Sequence, residues 1–98
     1  MKRPFVVIRH RGSGWDDSKA LEGQVDWPGH ADFMDALAAD GFVLLAGPLE
    51  GTRDALLVVM GRDRAEVEAQ FAPDPWTKNG LLVLTECWPW QLRLGRLP

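Results

Sequence analysis

The sequence has little of three residue types that often carry chemistry: its 98 residues include one cysteine, two histidines and no tyrosine. The single cysteine, Cys87, excludes a disulfide within the chain, fits a reducing compartment and is predicted to be an ordinary strand residue. With His10 and His30 as the only histidines, no Cys/His cluster has the local spacing of a structural zinc site. We therefore expect no metal or other cofactor, and leave open only a metal site assembled from distant carboxylates.

The sequence also lacks an apolar run of membrane-spanning length and the charge and cleavage pattern of a signal peptide, so we expect a cytoplasmic protein with no membrane partner. It has no excess of basic residues either, since 14 acidic and 11 basic residues give a net charge of −3. This balance argues against a nucleic-acid partner, because binding to phosphates depends on lysine and arginine. The basic residues near the two ends are predicted to be solvated surface: Lys2, Arg3, Arg9, Arg11, Arg93 and Arg96.

The length predicts a single domain over residues 1–98 with one small hydrophobic core. A hydrophobic fraction of 46% with 26% charged residues is typical of a globular protein. Five tryptophans are many for this length, and all are predicted to lie in loops or at the ends of elements. Such residues line the rim of a pocket or an interface, or fill a small core. They are Trp15, Trp27, Trp76, Trp88 and Trp90.

The apolar pattern predicts strands near residues 4–10, 42–47, 54–60 and 80–88, and helices near residues 27–40 and 63–72. A turn over residues 47–54 makes the second and third strands an antiparallel hairpin. The order strand, helix, strand, strand, helix, strand is that of the ferredoxin-like arrangement. We therefore predict an α+β fold in which one four-stranded antiparallel sheet carries two helices on one face.

The strands are apolar at consecutive rather than alternate positions, as in residues 56–59 and 81–84. Strands of this kind are covered on both faces of their sheet. Two helices cover only one face, and a bare apolar face would exceed the patch that a monomer normally exposes. A homodimer in which a second copy buries the other face is therefore expected, with the loop over residues 11–26 or the C-terminal tail as the alternative cover.

The first helix carries a histidine on its apolar side. Three apolar residues follow His30 at the spacing of one helix face: Phe33, Met34 and Leu37. Asp26 is predicted to be the N-cap, Pro28 to lie in the first turn, and Gly41 to end the helix in a left-handed conformation. An imidazole held on an inward face is a candidate proton carrier, while a hydrogen-bonded core histidine is the alternative. In the second helix, Asp63 and Glu66 have the spacing of a capping box.

Four short segments, spread over nearly the whole chain, resemble motifs of one family. Residues 30–37 have its histidine, aromatic and leucine pattern, and residues 41–49 are similar to its strand ending in Gly-Pro-Leu. Residues 74–76 resemble its Asp-Pro-aromatic turn, and residues 88–90 its usual end of the last strand. On these segments the chain resembles the YCII-related family of small ferredoxin-like proteins.

The resemblance implies a dimeric α+β barrel in which His30 and Asp74 form a pair in a cleft. One branch of the family resembles muconolactone-isomerase-type enzymes and removes chloride from a chlorinated hydroxyquinol. The sequence departs from the family in two places that would border the cleft, which leaves the substrate open. Residues 27–29 replace a basic residue often found before the histidine, and the loop over residues 11–26 has an unusual content of glycine and tryptophan, with three glycines and Trp15.

The chemistry of a His–Asp pair follows from the side chains themselves. A carboxylate bonded to one ring nitrogen fixes the imidazole tautomer and leaves the second nitrogen free to take a proton. We therefore predict an enzyme for isomerisation, elimination or dehydrochlorination of a small aromatic or enol-like molecule, with His30 and Asp74 as catalytic residues. The alternatives are a non-catalytic ligand-binding module, an accessory dimeric module and, for Asp74, a turn residue that caps nearby N–H groups. The predicted substrate-binding residues are Trp27, Gly47, Pro48 and Trp76.

Overall fold

A computed structural model describes all residues 1–98 and shows one antiparallel sheet with helices packed on it. The strands are β1 (Arg3–Arg11), β2 (Val43–Pro48), β3 (Asp54–Gly61) and β4 (Leu82–Pro89), in the order β2-β3-β1-β4. The helices are α1 (Trp27–Ala39), α2 (Arg64–Phe71) and the short α3 (Pro75–Lys78). The predicted α+β fold with a four-stranded antiparallel sheet is confirmed, and its strand order is compatible with a ferredoxin-like fold.

The helix α3 lies where the sequence predicted only a turn. Pro75 occupies the first helical position, and the Asp74 side chain accepts a hydrogen bond from the Trp76 N–H at 3.0 Å. Gly80 follows with a φ of +76°, a conformation that ends a helix. Aspartate, proline and glycine favour both turns and helix boundaries. The residue types of this segment therefore did not distinguish a turn from the single turn of helix that it forms.

The main core lies between the sheet and the helices α1 and α2. Residues that pair across strands point to the same face, so Val7 shares the helix-covered face with Leu57 and Cys87. Cys87 is buried in β4, which confirms its prediction as a strand residue. The buried residues of this core are Phe5, Val7, Leu37, Phe42, Val43, Leu57, Val59, Val67, Phe71 and Cys87.

A second, smaller core lies at the end of the sheet next to α3. It consists of Trp15, Trp76, Leu81 and Leu82, with Leu21 and Trp27 packed against it. The long loop after β1 reaches this core because Gln24 is buried and its side-chain amide holds the loop backbone together. Its Nε2 donates to the carbonyl of Asp16 at 2.7 Å, and its Oε1 accepts from the Asp16 N–H at 2.9 Å. Within the loop, residues 21–23 form one turn of 3₁₀-helix.

The helix boundaries agree only in part with the predicted caps. Gly41 has the predicted left-handed conformation, with φ +80°. The prediction for Asp26 is wrong: it is left-handed itself, with φ +58°, and its side chain makes no capping hydrogen bond. Capping needs an extended backbone at that position. In α2 the Asp63 carboxylate accepts from the Glu66 N–H at 2.8 Å, while the Glu66 carboxylate accepts from the N–H of Arg62 rather than that of Asp63.

The sheet face opposite the helices is open and carries several exposed apolar residues. Val6 and Val58 pair across β1 and β3 on this face, and Leu45 of β2 lies opposite Val58. Leu45, Val83 and Trp88 are 52%, 48% and 61% exposed. None of the helices is both long and apolar enough to cross a membrane.

Candidate functional site

The structure brings His30 and Asp74 into direct hydrogen-bond contact. His30 lies in the first turns of α1, and Asp74 is the N-cap of α3, which packs beside α1. The His30 Nδ1 lies 2.9 Å from Asp74 Oδ2 and 3.0 Å from Oδ1. Because an ionised carboxylate only accepts hydrogen bonds, Nδ1 carries the hydrogen and donates it. In the neutral ring the lone pair is then on Nε2.

The second ring nitrogen of His30 is free. Nε2 has no hydrogen-bond partner in the protein, and it is not among the buried polar atoms that lack one. It therefore keeps contact with solvent, although the residue as a whole is only 8% exposed. His30 also lines the one cavity of the protein. Nε2 is thus the ring nitrogen that remains available to a molecule in the cavity.

Asp74 is fully buried and is bound from three sides. Besides His30, its Oδ1 accepts from the Trp76 N–H at 3.0 Å and its Oδ2 accepts from the Arg9 Nη1 at 2.9 Å. The alternative interpretation of Asp74 as a capping residue therefore also holds, since one carboxylate caps α3 and binds the imidazole. Hydrogen bonds from three elements fix its orientation and hence that of the His30 ring.

Arg9 corrects the prediction that the basic residues near the ends are solvated surface. It is 1% exposed and lies on the helix-covered face of β1, two residues after Val7. Its Nη1 binds Asp74, its Nη2 donates to Thr77 Oγ1 at 2.7 Å, and its guanidinium lies 4.9 Å from the centre of the Phe71 ring. The buried cation is stable there because it meets a buried carboxylate. Arg11 departs from the prediction in part, since it is partly buried.

Hydrogen bonds and a neighbouring charge oppose the effect of burial on the pKa of Asp74. Burial acts to raise the pKa of Asp74, but hydrogen bonds from His30, the Trp76 N–H and Arg9, together with the Arg9 charge, hold that pKa below its usual value. Burial lowers the pKa of Arg9, and the hydrogen bond and charge of Asp74 oppose that shift. Asp74 is therefore ionised at neutral pH and Arg9 stays protonated.

Tryptophan rings enclose the imidazole. The Trp76 ring stacks on the His30 ring with centroids 3.8 Å apart and planes 5° apart. Trp76 is held in place by its own Nε1, which donates to the carbonyl of Val25 at 2.6 Å. Trp27 lies 6.0 Å from His30 and 5.8 Å from Trp76, ring centre to ring centre. The face of an indole attracts a cation, so this stacking stabilises the charged ring that proton transfer to His30 would produce.

The cavity beside the pair has a volume of about 390 Å³, within the range of small-molecule sites. Its wall includes His30 and all four residues predicted to bind substrate: Trp27, Gly47, Pro48 and Trp76. Asp74 lies behind His30 and does not reach the wall. The arrangement presents a proton acceptor to a small, largely apolar chamber.

Sequence reasoning gave several residues of the wall no role in the site, among them Arg9, Arg11 and Met34, and left Trp15 open between a pocket rim, an interface and a core. The period of two in β1 places Phe5, Val7 and Arg9 on one face and would have indicated Arg9. Nothing local decides between these roles for Trp15, because the path of its loop depends on the buried Gln24 side chain. No group of three or more His, Cys, Asp or Glu side chains is arranged to hold a metal ion.

The fold and the site together define an α+β protein with a ferredoxin-like strand order and a buried His–Asp pair beside a ligand-sized cavity. Comparison with family models, with curated proteins and with solved structures finds no match. The YCII-related resemblance therefore stays a prediction, and the function is inferred from the geometry of the site.

Proposed function

We propose that the protein is a small-molecule enzyme in which His30 is the general base for isomerisation, elimination or dehydrochlorination of a small aromatic or enol-like substrate. One observation carries the proposal: a buried, ionised carboxylate binds Nδ1 of an imidazole that lines a cavity and whose Nε2 has no partner in the protein. A general base needs a fixed tautomer, a free lone pair and room for the acid that it deprotonates. This site supplies all three.

The proposed step begins with the transfer of a substrate proton to His30 Nε2. The imidazolium that forms is stabilised by the Asp74 carboxylate on Nδ1 and by the stacked face of Trp76. In an isomerisation the proton returns to a different carbon. In a dehydrochlorination the electron pair of the broken C–H or O–H bond forms a new double bond, and chloride leaves with the electrons of the C–Cl bond. General-base catalysis contributes about two to four orders of magnitude to a rate.

The walls of the cavity support a flat substrate. Trp27 and Trp76 line the cavity beside His30, and Gly47 and Pro48 contribute to its wall from β2. Aromatic walls bind planar rings through dispersion and stacking and displace water from the reacting atoms. The same wall suits a non-catalytic ligand-binding protein, so the experiment must detect proton transfer and not binding alone.

Proton transfer is detectable before the full reaction is known. We expect the protein in D2O to catalyse exchange of a carbon-bound hydrogen in at least one member of a panel of hydroquinones, chlorinated phenols and unsaturated lactones, each with and without a carboxylate substituent, measured by proton NMR. Exchange is the expected result because a base that removes a proton returns deuterium from the solvent. Binding of panel members without exchange would assign the cavity to a ligand-binding protein, and neither binding nor exchange would contradict the proposed function.

We further propose that a second copy of the chain covers the open sheet face, giving a homodimer. Large apolar residues are exposed on this face, next to the polar His10 and Glu86, and they lie beside Val58, which faces the same side. Association of two such faces removes this surface from water, as in interfaces that resemble a core cut in half. The proposed setting is the cytoplasm, where the unpaired Cys87 stays reduced.

The dimer is tested by a charge placed on that face. Leu45→Glu is expected to convert a dimer of twice the 10.9 kDa chain mass into a monomer, because the carboxylate would be buried between the copies. Light scattering at micromolar concentration measures the mass. Val25→Glu is the matched control, since Val25 is 60% exposed but lies in the loop before α1. A wild-type mass of one chain would contradict the dimer.

A further inference from the structure

Three arginines line the cavity, and two of them bind other side chains of the protein. Arg9 binds Asp74 and Thr77, and the Arg53 Nη1 donates to Asp17 Oδ1 at 2.7 Å. Arg11 forms no ion pair and no side-chain hydrogen bond. It is therefore the one cation of the cavity wall whose donors are all available to a ligand.

The position of Arg11 is fixed from two sides. It follows Arg9 on the same face of β1, pairs with Leu82 of β4, and its backbone N–H donates to the carbonyl of Arg53 at 2.9 Å. Its guanidinium lies 4.5 Å from the centre of the Trp15 ring. Stacking holds the planar group in one orientation and leaves the N–H groups at its edge unoccupied. Such a fork matches the two oxygens of a carboxylate.

Aromatic rings connect this cation to the proposed base. Trp15 contacts Trp76 edge to face with centroids 5.4 Å apart, and Trp76 stacks on His30. A chain of ring contacts thus runs from the Arg11 guanidinium through two indoles to the His30 imidazole. Both end groups line the same cavity, so one molecule in it can contact both.

The charges of the cavity wall favour an anion. Three arginines line the cavity, against two acidic residues, Asp35 and Asp54. The acidic residues of the wall oppose this charge only weakly, because Asp54 is bonded to His10 at 2.7 Å and Asp35 is exposed.

We propose that the ligand of the cavity is a flat aromatic or enolic carboxylate, whose carboxylate group binds Arg11 and whose ring lies along the tryptophans towards His30. The inference rests on the proposed function for the identity of the cavity as the substrate site, but it requires no turnover. To the proposed function it adds that the substrate carries a negative charge and that Arg11 is the residue that binds this charge.

Binding of matched acids and amides tests this directly. We expect benzoate, salicylate or 4-hydroxybenzoate to bind at least about tenfold more tightly than the corresponding neutral amide, measured by quenching of tryptophan fluorescence. Arg11→Gln is expected to weaken carboxylate binding by about tenfold to a hundredfold and to leave amide binding unchanged, because only the charged ligand loses a charge-assisted pair. Arg3→Gln is the matched control, since Arg3 lies on the same strand, is exposed and does not line the cavity.

Either of two results would overturn the inference. In the first, none of the carboxylates binds more tightly than its amide; in the second, the folded Arg11→Gln protein binds carboxylates with unchanged affinity. The exchange experiment separates this failure from failure of the proposed function. Exchange only in neutral compounds, unaffected by Arg11→Gln, overturns the anionic substrate and keeps the base. Arg11-dependent binding of carboxylates without exchange in any compound keeps the anion site and contradicts catalysis.

Discussion

His30→Gln is expected to slow the deuterium exchange of a responsive substrate by about two to four orders of magnitude, the contribution of a general base. Glutamine retains an N–H donor that can face Asp74, so the buried carboxylate keeps a partner. It has no basic nitrogen at the position of Nε2, so the proton acceptor is lost. The exchange rate measured by NMR at equal protein concentration gives the size of the effect.

The second histidine provides the matched control. His10 also bonds an aspartate through Nδ1, at 2.7 Å from Asp54, but its side chain is 46% exposed and it does not line the cavity. His10→Gln is therefore expected to leave exchange unchanged. Wild-type exchange in a folded His30→Gln protein would show that another group removes the proton.

Arg9→Met is expected to lower the free energy of unfolding by about 3–5 kcal/mol, the cost of removing one partner from a buried ion pair. The Arg9 and Asp74 side chains are 2% and 0% exposed, so water cannot replace the lost charge. Thr77 also loses the Nη2 donor. Methionine keeps most of the volume against Phe71, so the loss reports the charge rather than a large void. Urea unfolding at neutral pH measures it.

Two further variants separate the ion pair from general damage to the sheet. Arg3→Met removes an exposed arginine from the same strand and is expected to change the free energy of unfolding by no more than about 0.5 kcal/mol. Arg9→Met combined with Asp74→Leu removes both charges and is expected to recover part of the loss. A loss below about 1 kcal/mol for Arg9→Met alone would contradict a buried pair.

The elements of this fold were predictable because each apolar run is long and bounded by glycine or proline. β2 ends at Pro48, and the left-handed Gly41 ends α1 at its predicted position. The errors arose where one residue type serves two purposes. Asp74 and Pro75 begin a helix as readily as a turn. Aspartate is a common N-cap residue, but Asp26 does not have the extended backbone conformation that an N-cap needs.

The pairing of His30 with Asp74 was predictable in outline, since the spacing around His30 placed it on an inward face and the topology put both helices on one side of the sheet. The third partner was not, because Arg9 is 65 residues from Asp74 in the sequence. An arginine near the end of a strand is usually solvated. Whether it is buried depends on a carboxylate that only the folded chain brings to it.

The path of the loop before α1 could not be predicted from the sequence for a similar reason. A Cβ at Gly12 would overlap the carbonyl oxygen of Gly80, so this loop packs backbone to backbone against the turn before β4. The same packing brings Trp15 to Trp76. Contacts of this kind leave no periodic pattern in the sequence, and so the tryptophan wall of the cavity was visible only as an unusual number of tryptophans.

The tautomer of His30 is the most direct test of the His–Asp pair as a base. A long-range nitrogen–proton NMR spectrum of the protein labelled with nitrogen-15, recorded at alkaline pH, distinguishes the protonated from the unprotonated ring nitrogen. Hydrogen bonding to Asp74 predicts a protonated Nδ1 and an unprotonated Nε2. A protonated Nε2 with an unprotonated Nδ1 would contradict both the pairing with an ionised Asp74 and the role of His30 as the base.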